Sequence, residues 1–224
     1  MKSKANKIVI AMSALAISIS ASLSHAADTA YQASTVNQPI KIVNIASLEA
    51  QAKAQMETGA FGYIRGGAED EKNLRSNTTA FDKKYIMPRI MQGIELKDIN
   101  LGTKFLGIDL KTPIIQAPMA AQGLSNVDGE LSTARGMGKA GSIFSLSTYG
   151  NKTIEEVAQV AGKNPFFFQL YMSKNDKFNE FTLKRAKQYG AKAIILTVDS
   201  PVGGYREDDI KNSFQFPLGF ANLE

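Results

Sequence analysis

From Pro113 onward the sequence keeps returning to one texture, and that recurrence limits the fold more than any other feature. Apolar runs at Pro113–Pro118, Ser142–Ser147, Pro165–Met172 and Ala191–Ser200 alternate with helical stretches at about Gly129–Ala140, Ile154–Ala161 and Phe178–Tyr189. Gly141, Gly162 and Gly190 stand just past those stretches, where a glycine closes a helix. The runs are apolar throughout instead of alternating, which is how strands read when helices cover both faces of a parallel sheet. Strand, helix and strand in this order make βα units with right-handed crossovers. Four such units occur before the sequence stops within a loop, whereas a closed eight-unit barrel takes about 250 residues. The expected fold class is α/β, a TIM-type (β/α)8 barrel with only about the first four βα units present, over residues 113–224.

The stretch ahead of the barrel has a different character. Residues 45–112 read as a helical segment with a hairpin arm. Ser47 is expected to cap a helix through Met56, Thr58-Gly59 to end it, and Phe61–Gly67 to follow. A second helix is expected from Glu69 to Lys83, broken by Met87-Pro88-Arg89, and Phe105–Leu110 reads as a small hairpin. Residues 27–44 are polar and aperiodic, a mobile leader. Before them, Lys2, Lys4 and Lys7 precede an apolar stretch from Ile8 to about Ser20, and Ser24-His25-Ala26 supplies the small residues a signal peptidase reads. The apolar stretch falls short of the roughly 20 residues of a membrane span. Residues 1–26 are therefore expected to be a cleaved signal peptide, and the protein to be exported, to the periplasm.

Composition narrows the chemistry. The 224 residues are 44% apolar and 21% charged, ordinary for a globular chain. With no cysteine there is neither a disulfide framework nor a thiolate metal site. The three lysines of the signal account for most of the excess of 26 basic over 21 acidic residues. What remains is near neutral and without a basic stripe, so nucleic acid is not an expected partner. The single histidine, His25, leaves with the signal, and no histidine-based mechanism is available within the mature stretch.

Parallel α/β sheets place their chemistry at the carboxyl ends of their strands, and each apolar run here ends in something usable. Ala117-Pro118-Met119-Ala120-Ala121-Gln122-Gly123 is small enough to let a planar ligand approach the backbone, or equally to make a tight turn. Ser145-Leu146-Ser147-Thr148-Tyr149 offers hydroxyls that suit a ligand or a helix cap. Gln169 follows Phe166-Phe167-Phe168, and a buried amide costs about a kcal/mol or more unless hydrogen-bonded. Its partner is either internal backbone or the edge of a heteroaromatic ring, which needs a group that both donates and accepts. Thr197 and Asp199 lie two apart on the last run and share a face. A buried Asp199 calls for a cation, and Arg206, beyond Gly203-Gly204, is a candidate; its fork also suits a substrate carboxylate. Glu207-Asp208-Asp209 reads as a solvated face, and no metal site is expected. Gly62–Gly67 lacks the Gly-Lys-Ser/Thr ending of a phosphate loop.

In order along the chain, Phe61-Gly62-Tyr63-Ile64, Ala117-Pro118-Met119-Ala120-Ala121, Ser145-Leu146-Ser147, Phe168-Gln169-Leu170-Tyr171-Met172, Leu196-Thr197-Val198-Asp199-Ser200 and Arg206 before Lys211-Asn212 resemble the FMN-dependent L-2-hydroxy acid oxidase and dehydrogenase family. The likeness runs from about Ile42 to Leu223, and the Ala120-Ala121 pair is closer to the family's lactate oxidases than to the Gly-Leu variant of several membrane-linked dehydrogenases. The resemblance implies FMN as cofactor and oxidation of an L-2-hydroxy acid, L-lactate to pyruvate, with oxygen giving hydrogen peroxide or another acceptor taking the electrons. It implies that Pro118, Met119 and Ala120 lie against the flavin, and that Ser147, Gln169 and Thr197 bond the polar edge of its ring. Tyr63 and Tyr171 are implied to contact substrate, Arg206 to grip the carboxylate, and Asp199 to orient a catalytic histidine. That histidine, a flavin-side lysine, a second arginine and the phosphate-binding loops have no counterpart here and belong to a C-terminal half. The chain alone is therefore expected to be inactive, and homo-oligomeric, a tetramer, only at full length. A truncated remnant without catalysis, and a binding module for small carboxylates built on Arg206, are the alternatives.

Overall fold

In the computed structural model, residues 31–35, 42–200 and 202–223 are described. The expected signal peptide and most of the leader lie outside the described residues. Beyond them the chain opens with helix α1, Ile45–Gln55. Its cap is Asn44, whose side chain accepts the N–H of Ser47 at 2.8 Å, so Ser47 lies inside the helix it was expected to begin. Thr58-Gly59 starts a helix instead of ending one. Helix α2 spans Thr58–Arg65, and the Glu57 carboxylate takes the N–H groups of Gly59 and Ala60 at 2.9 Å each. Those two donors have no partner within the helix, and a carboxylate at the positive end of the dipole satisfies both. Helix α3, Lys72–Thr79, is shorter than expected because Glu69 and Glu71 sit at positive φ, and only a 3-10 turn at Phe81–Lys83 follows it.

The hairpin pairs β1, Thr103–Phe105, with β2, Ile108–Leu110, in antiparallel register. Its two turn residues, Leu106 and Gly107, both have positive φ, the tight-turn geometry that matches strand twist. Leu110 then buries against Ile143 and Phe167 on the sheet.

The main sheet contains β3, Phe144–Leu146, β4, Phe166–Leu170, and β5, Ile194–Leu196, parallel and in sequence order. The run Pro113–Pro118, expected as a strand, lies beside β3 without forming a ladder. Only Met119 bridges to Leu146, and Gln116 donates its N–H to the carbonyl of Ile143 at 3.2 Å. Pro113 and Pro118 bring no N–H to a ladder, which explains the interruption. Between the strands run α4, Glu130–Ala140, α5, Ile154–Ala161, and α6, Asp176–Gln188. A reciprocal capping box of Thr153 and Glu156 sets the start of α5. A short helix α7, Glu207–Lys211, follows β5 where the acidic run was expected to be a solvated face.

Alternation across the sheet divides the core. Phe144, Leu146, Phe166, Phe168 and Leu170 face the helices and pack with Ala134, Ile154, Val157, Ala161 and Ala186. The opposite face carries Ile143 and Phe167. Both faces of β3 and β4 are buried, as a covered parallel sheet requires, but on β5 Ile194 and Leu196 remain 41% and 50% exposed. Among the described residues no helix is long and apolar enough to cross a membrane.

Phe168 is central to the larger cluster and fully buried. Phe168→Ala is expected to lower unfolding stability by about 3–5 kcal/mol in urea titration. The helices α5 and α6 are joined by Arg185, which donates from Nε and Nη2 to both oxygens of Glu155 at 2.9 and 2.7 Å. The guanidinium bond holds the Glu155 carboxyl below its ordinary value. The stability this pair contributes is therefore present above an unfolded value of about 4.3 and lost as pH falls through the lower folded value. Melting temperatures should show Glu155→Gln less stable than wild type at neutral pH, with the gap closing below about pH 4.

Candidate functional site

The carboxyl ends of the sheet are tied together by one side chain. Gln169, on β4, is 2% exposed and points to the face opposite Phe168. Its Oε1 accepts from the Ser147 hydroxyl and from the backbone N–H of Thr148, both at 3.1 Å, and its Nε2 donates to Thr197 Oγ1 at 2.9 Å. Thr148 Oγ1 donates to the Gln169 carbonyl at 2.6 Å and accepts from the N–H of Tyr171 at 3.2 Å. Ser147, Gln169 and Thr197, taken from three neighbouring strands, thus form one polar row. The buried amide finds side-chain and backbone partners together, and among the described residues one N–H of Nε2 and the hydroxyl proton of Thr197 are left for a further partner.

A separate cleft of about 560 Å³ is lined by Tyr63, Met119, Ala120, Gln122, Thr133 and Arg206 among others, and Met119 connects it to the sheet through its bridge to Leu146, the residue before Ser147. Tyr63 arrives on α2, which comes close because its facing residues are small: a Cβ on Gly62 would lie 2.7 Å from Asn212 Nδ2. The Met119–Ala121 turn is held at Ala121, whose φ is +51° and whose N–H donates to the Tyr149 carbonyl at 2.9 Å. Arg206 is fixed on two sides, donating from Nε to Asp209 at 2.6 Å and from Nη2 to the Tyr63 carbonyl, with its guanidinium 4.9 Å from the Tyr63 ring centre. Three guanidinium N–H groups remain for a ligand. Burial raises the Tyr63 phenol above its ordinary value, against the opposing pull of Arg206. At neutral pH Tyr63 is a hydroxyl donor.

Not every expected residue joins these two groups. Asp199 is exposed, beyond the last residue of β5, and the partner of Arg206 is Asp209, one turn along α7. The expected Asp199–Arg206 pairing is thus replaced by a local i,i+3 pair, in which the partly buried guanidinium finds the partner that its desolvation requires. Tyr171 lines a neighbouring hollow with Thr148, Tyr149 and Phe178. Pro118 faces an apolar hollow with Phe105, Ile115 and Phe167. A file of rings nevertheless links the two tyrosines: Tyr63 to Phe216 at 4.7 Å, Phe216 to Phe220 at 5.2 Å, Phe220 to Tyr149 at 5.1 Å and Tyr149 to Tyr171 at 5.0 Å. Among the described residues no group of acidic or histidine side chains could hold a metal ion.

Sequence reasoning passed over Glu130, Asn151 and Asn222. Glu130 and Asn222 are fully buried, and Glu130 Oε1 accepts from the N–H groups of Gln122 and Asn151 at 3.1 Å each. A glutamate in the first turn of a helix looks like a dipole partner in sequence, and nothing local announces its burial.

Residues 52–224 match the family described as FMN-dependent dehydrogenase. The chain belongs to that family. It is 48% identical over 193 residues to an L-lactate oxidase of Lentilactobacillus hilgardii, covering 86% of this chain and 52% of that protein. The crystal structure of a lactate oxidase of Pediococcus acidilactici superposes with a TM-score of 0.83 at 50% identity, over 86% of this chain and 53% of that one. Mandelate oxidase with benzoyl-formic acid gives 0.75 at 32% identity, over 81% and 54%. The chain therefore spans about half the length of the relatives it matches. The family is FMN-dependent, and the residues present fit a flavin: donors left at Gln169 and Thr197 suit a ring edge with acceptors.

Gln169→Leu keeps the shape but strands the Thr148 N–H inside the protein. The urea midpoint should fall by the equivalent of about 1–3 kcal/mol with an unchanged slope.

Proposed function

We propose that this chain supplies the carboxylate-gripping and flavin-edge portion of an FMN-dependent oxidase of short L-2-hydroxy acids, acting on L-lactate to give pyruvate, on part of a (β/α)8 barrel. The observation that carries the reading is the convergence in one cleft of Arg206, Tyr63 and the Met119–Ala120 turn, whose Met119 bridges to the strand that ends in Ser147. FMN, when bound, accepts the hydride from the substrate's alpha carbon and passes the electrons to oxygen or another acceptor.

Each residue then has a task set by its surroundings. Ser147, Gln169 and Thr197 would hold the polar edge of the ring, and Pro118, Met119 and Ala120 would lie against it. Arg206, already oriented by Asp209 and the Tyr63 carbonyl, offers its unspent N–H groups to the substrate carboxylate. Tyr63 keeps its proton and donates to the same substrate, with Tyr171 on the adjoining wall. Asp199, exposed at the strand end, is available to a catalytic histidine contributed from elsewhere. The single histidine of the chain, His25, lies outside the described residues, and missing base catalysis typically costs 10²- to 10⁴-fold in rate. On this reading the described residues make a binding half, with turnover depending on a histidine base that is not among them. Export to the periplasm is part of the proposal, supported by the lysines ahead of the apolar stretch Ile8–Ser20.

Titration of FMN fluorescence tests the reading. Saturable binding, followed by a change in flavin absorbance with L-lactate or pyruvate but not D-lactate, is expected. Arg206→Lys, which loses the planar fork, should weaken pyruvate binding about tenfold and leave FMN binding near wild type. A wild-type chain that ignores FMN, or answers both enantiomers alike, would sink the proposal. Pyruvate binding that persists without FMN would favour a carboxylate-binding module instead.

A further inference from the structure

The loop between β3 and α5 makes bonds that the flavin and substrate roles leave unused, and Asn151 is at their centre. Its Oδ1 accepts the N–H of Gly123 at 3.0 Å, and its Nδ2 donates to the carbonyl of Gly219 at 2.8 Å. The first bond reaches the turn that follows Ala120-Ala121. The second reaches the strap Phe214–Phe220, whose rings pack against Tyr63 and Tyr149. The contact with Gly123 is close enough that a Cβ there would fall 2.7 Å from the Asn151 oxygen.

Neighbouring groups repeat both connections. On the turn side, Ala121 donates to the Tyr149 carbonyl, and the buried Glu130 carboxylate joins the N–H of Gln122 to that of Asn151 itself. On the strap side, Ala221 donates to the Gly150 carbonyl at 3.0 Å, while Asn222 accepts from the N–H of Ile154 and donates to the carbonyl of Lys152, both at 3.0 Å. A non-glycine residue at the φ of Ala121 costs of the order of 1 kcal/mol or more, so the turn depends on bonds from outside it.

We infer that Asn151 is a positioning residue that couples the Met119–Ala121 turn, one wall of the cleft, to the aromatic strap that packs behind Tyr63. This rests on the flavin reading of the cleft. An amide is suited to the position because one end accepts and the other donates. Aspartate preserves the acceptor toward Gly123 but sets an oxygen against the Gly219 carbonyl, so it separates the two halves of the role. Alanine removes both.

Asn151→Asp and Asn151→Ala should be compared with wild type by FMN titration, by pyruvate-induced change in flavin absorbance, and by amide hydrogen exchange. In Asn151→Asp, FMN affinity is expected to stay within about twofold and pyruvate affinity to fall about fivefold or more. Exchange at Ala221 should quicken while Ala121 and Gly123 keep their protection. Asn151→Ala should weaken both ligands and expose all three amides. Equal losses of FMN and pyruvate binding in Asn151→Asp, or a fall in melting temperature with neither affinity changed, would overturn the coupling. Failure of wild type to bind FMN overturns the flavin reading instead, and unaltered exchange at Ala221 in Asn151→Asp refutes the node whatever the flavin does.

Discussion

A buried amide cannot be left unpaired, and the carboxyl end of the sheet is arranged around that requirement at Gln169. Three phenylalanines in succession make the strand before it one of the most apolar segments of the chain, and the amide enters a region where an unmet donor or acceptor costs about 1–3 kcal/mol. The debt is met by Ser147 and Thr148 from one neighbouring strand end and Thr197 from the other. Satisfying Gln169 therefore fixes the relative height of three strand ends. Those are the ends on which a parallel α/β sheet builds its site, so a rule about burial also sets the geometry of recognition.

The cleft follows the same logic with charge. Arg206 on the loop after β5 would be costly if half-buried alone, and Asp209, the Tyr63 carbonyl and the Tyr63 ring share it. Each of these groups occupies one side of the guanidinium, and the uncommitted N–H groups are left for the cleft. The arginine is oriented by the protein itself, which on the proposed reading lowers the entropic cost of gripping a carboxylate. The glycine face of α2 serves this arrangement, because only small residues let Tyr63 come within reach of the loop that carries Arg206.

Much of this was legible from residue order, and the failures share a cause. The helices flanked by Gly141 and Gly162 were readable because their caps are local, and α5 runs over the expected residues, Ile154–Ala161. The strand expected at Pro113–Pro118 did not form a ladder because prolines decide hydrogen bonding more strongly than apolarity does. Thr58-Gly59 looked like a helix end until Glu57, one residue earlier, proved to cap a new one. Ser147, Gln169 and Thr197 could be named from strand ends, but their mutual bonding depends on parallel register. The pairings of Arg206 with Asp209 and of Asn151 with Gly123 and Gly219 are tertiary. No spacing in the sequence distinguishes them from exposed polar residues.

The placement of these polar residues also explains how recognition and chemistry can be separated in one site. On the proposed reading Arg206 and the Gln169 row bind and orient, and such groups gain strength from being held by neighbours such as Asp209, Ser147 and Thr197. A proton acceptor has a different requirement. It must meet the substrate hydroxyl while the carboxylate is already fixed, so it does best on an element that approaches from another side of the bound molecule. Arg206, Tyr63 and the Met119–Ala120 turn occupy the walls of the cleft, and Asp199 stands exposed beyond the end of β5; on the proposed reading that exposure is what lets it meet a base from elsewhere. A site built this way can keep affinity for its ligand when the base is absent, because the interactions that hold the ground state do not pass through the group that moves the proton.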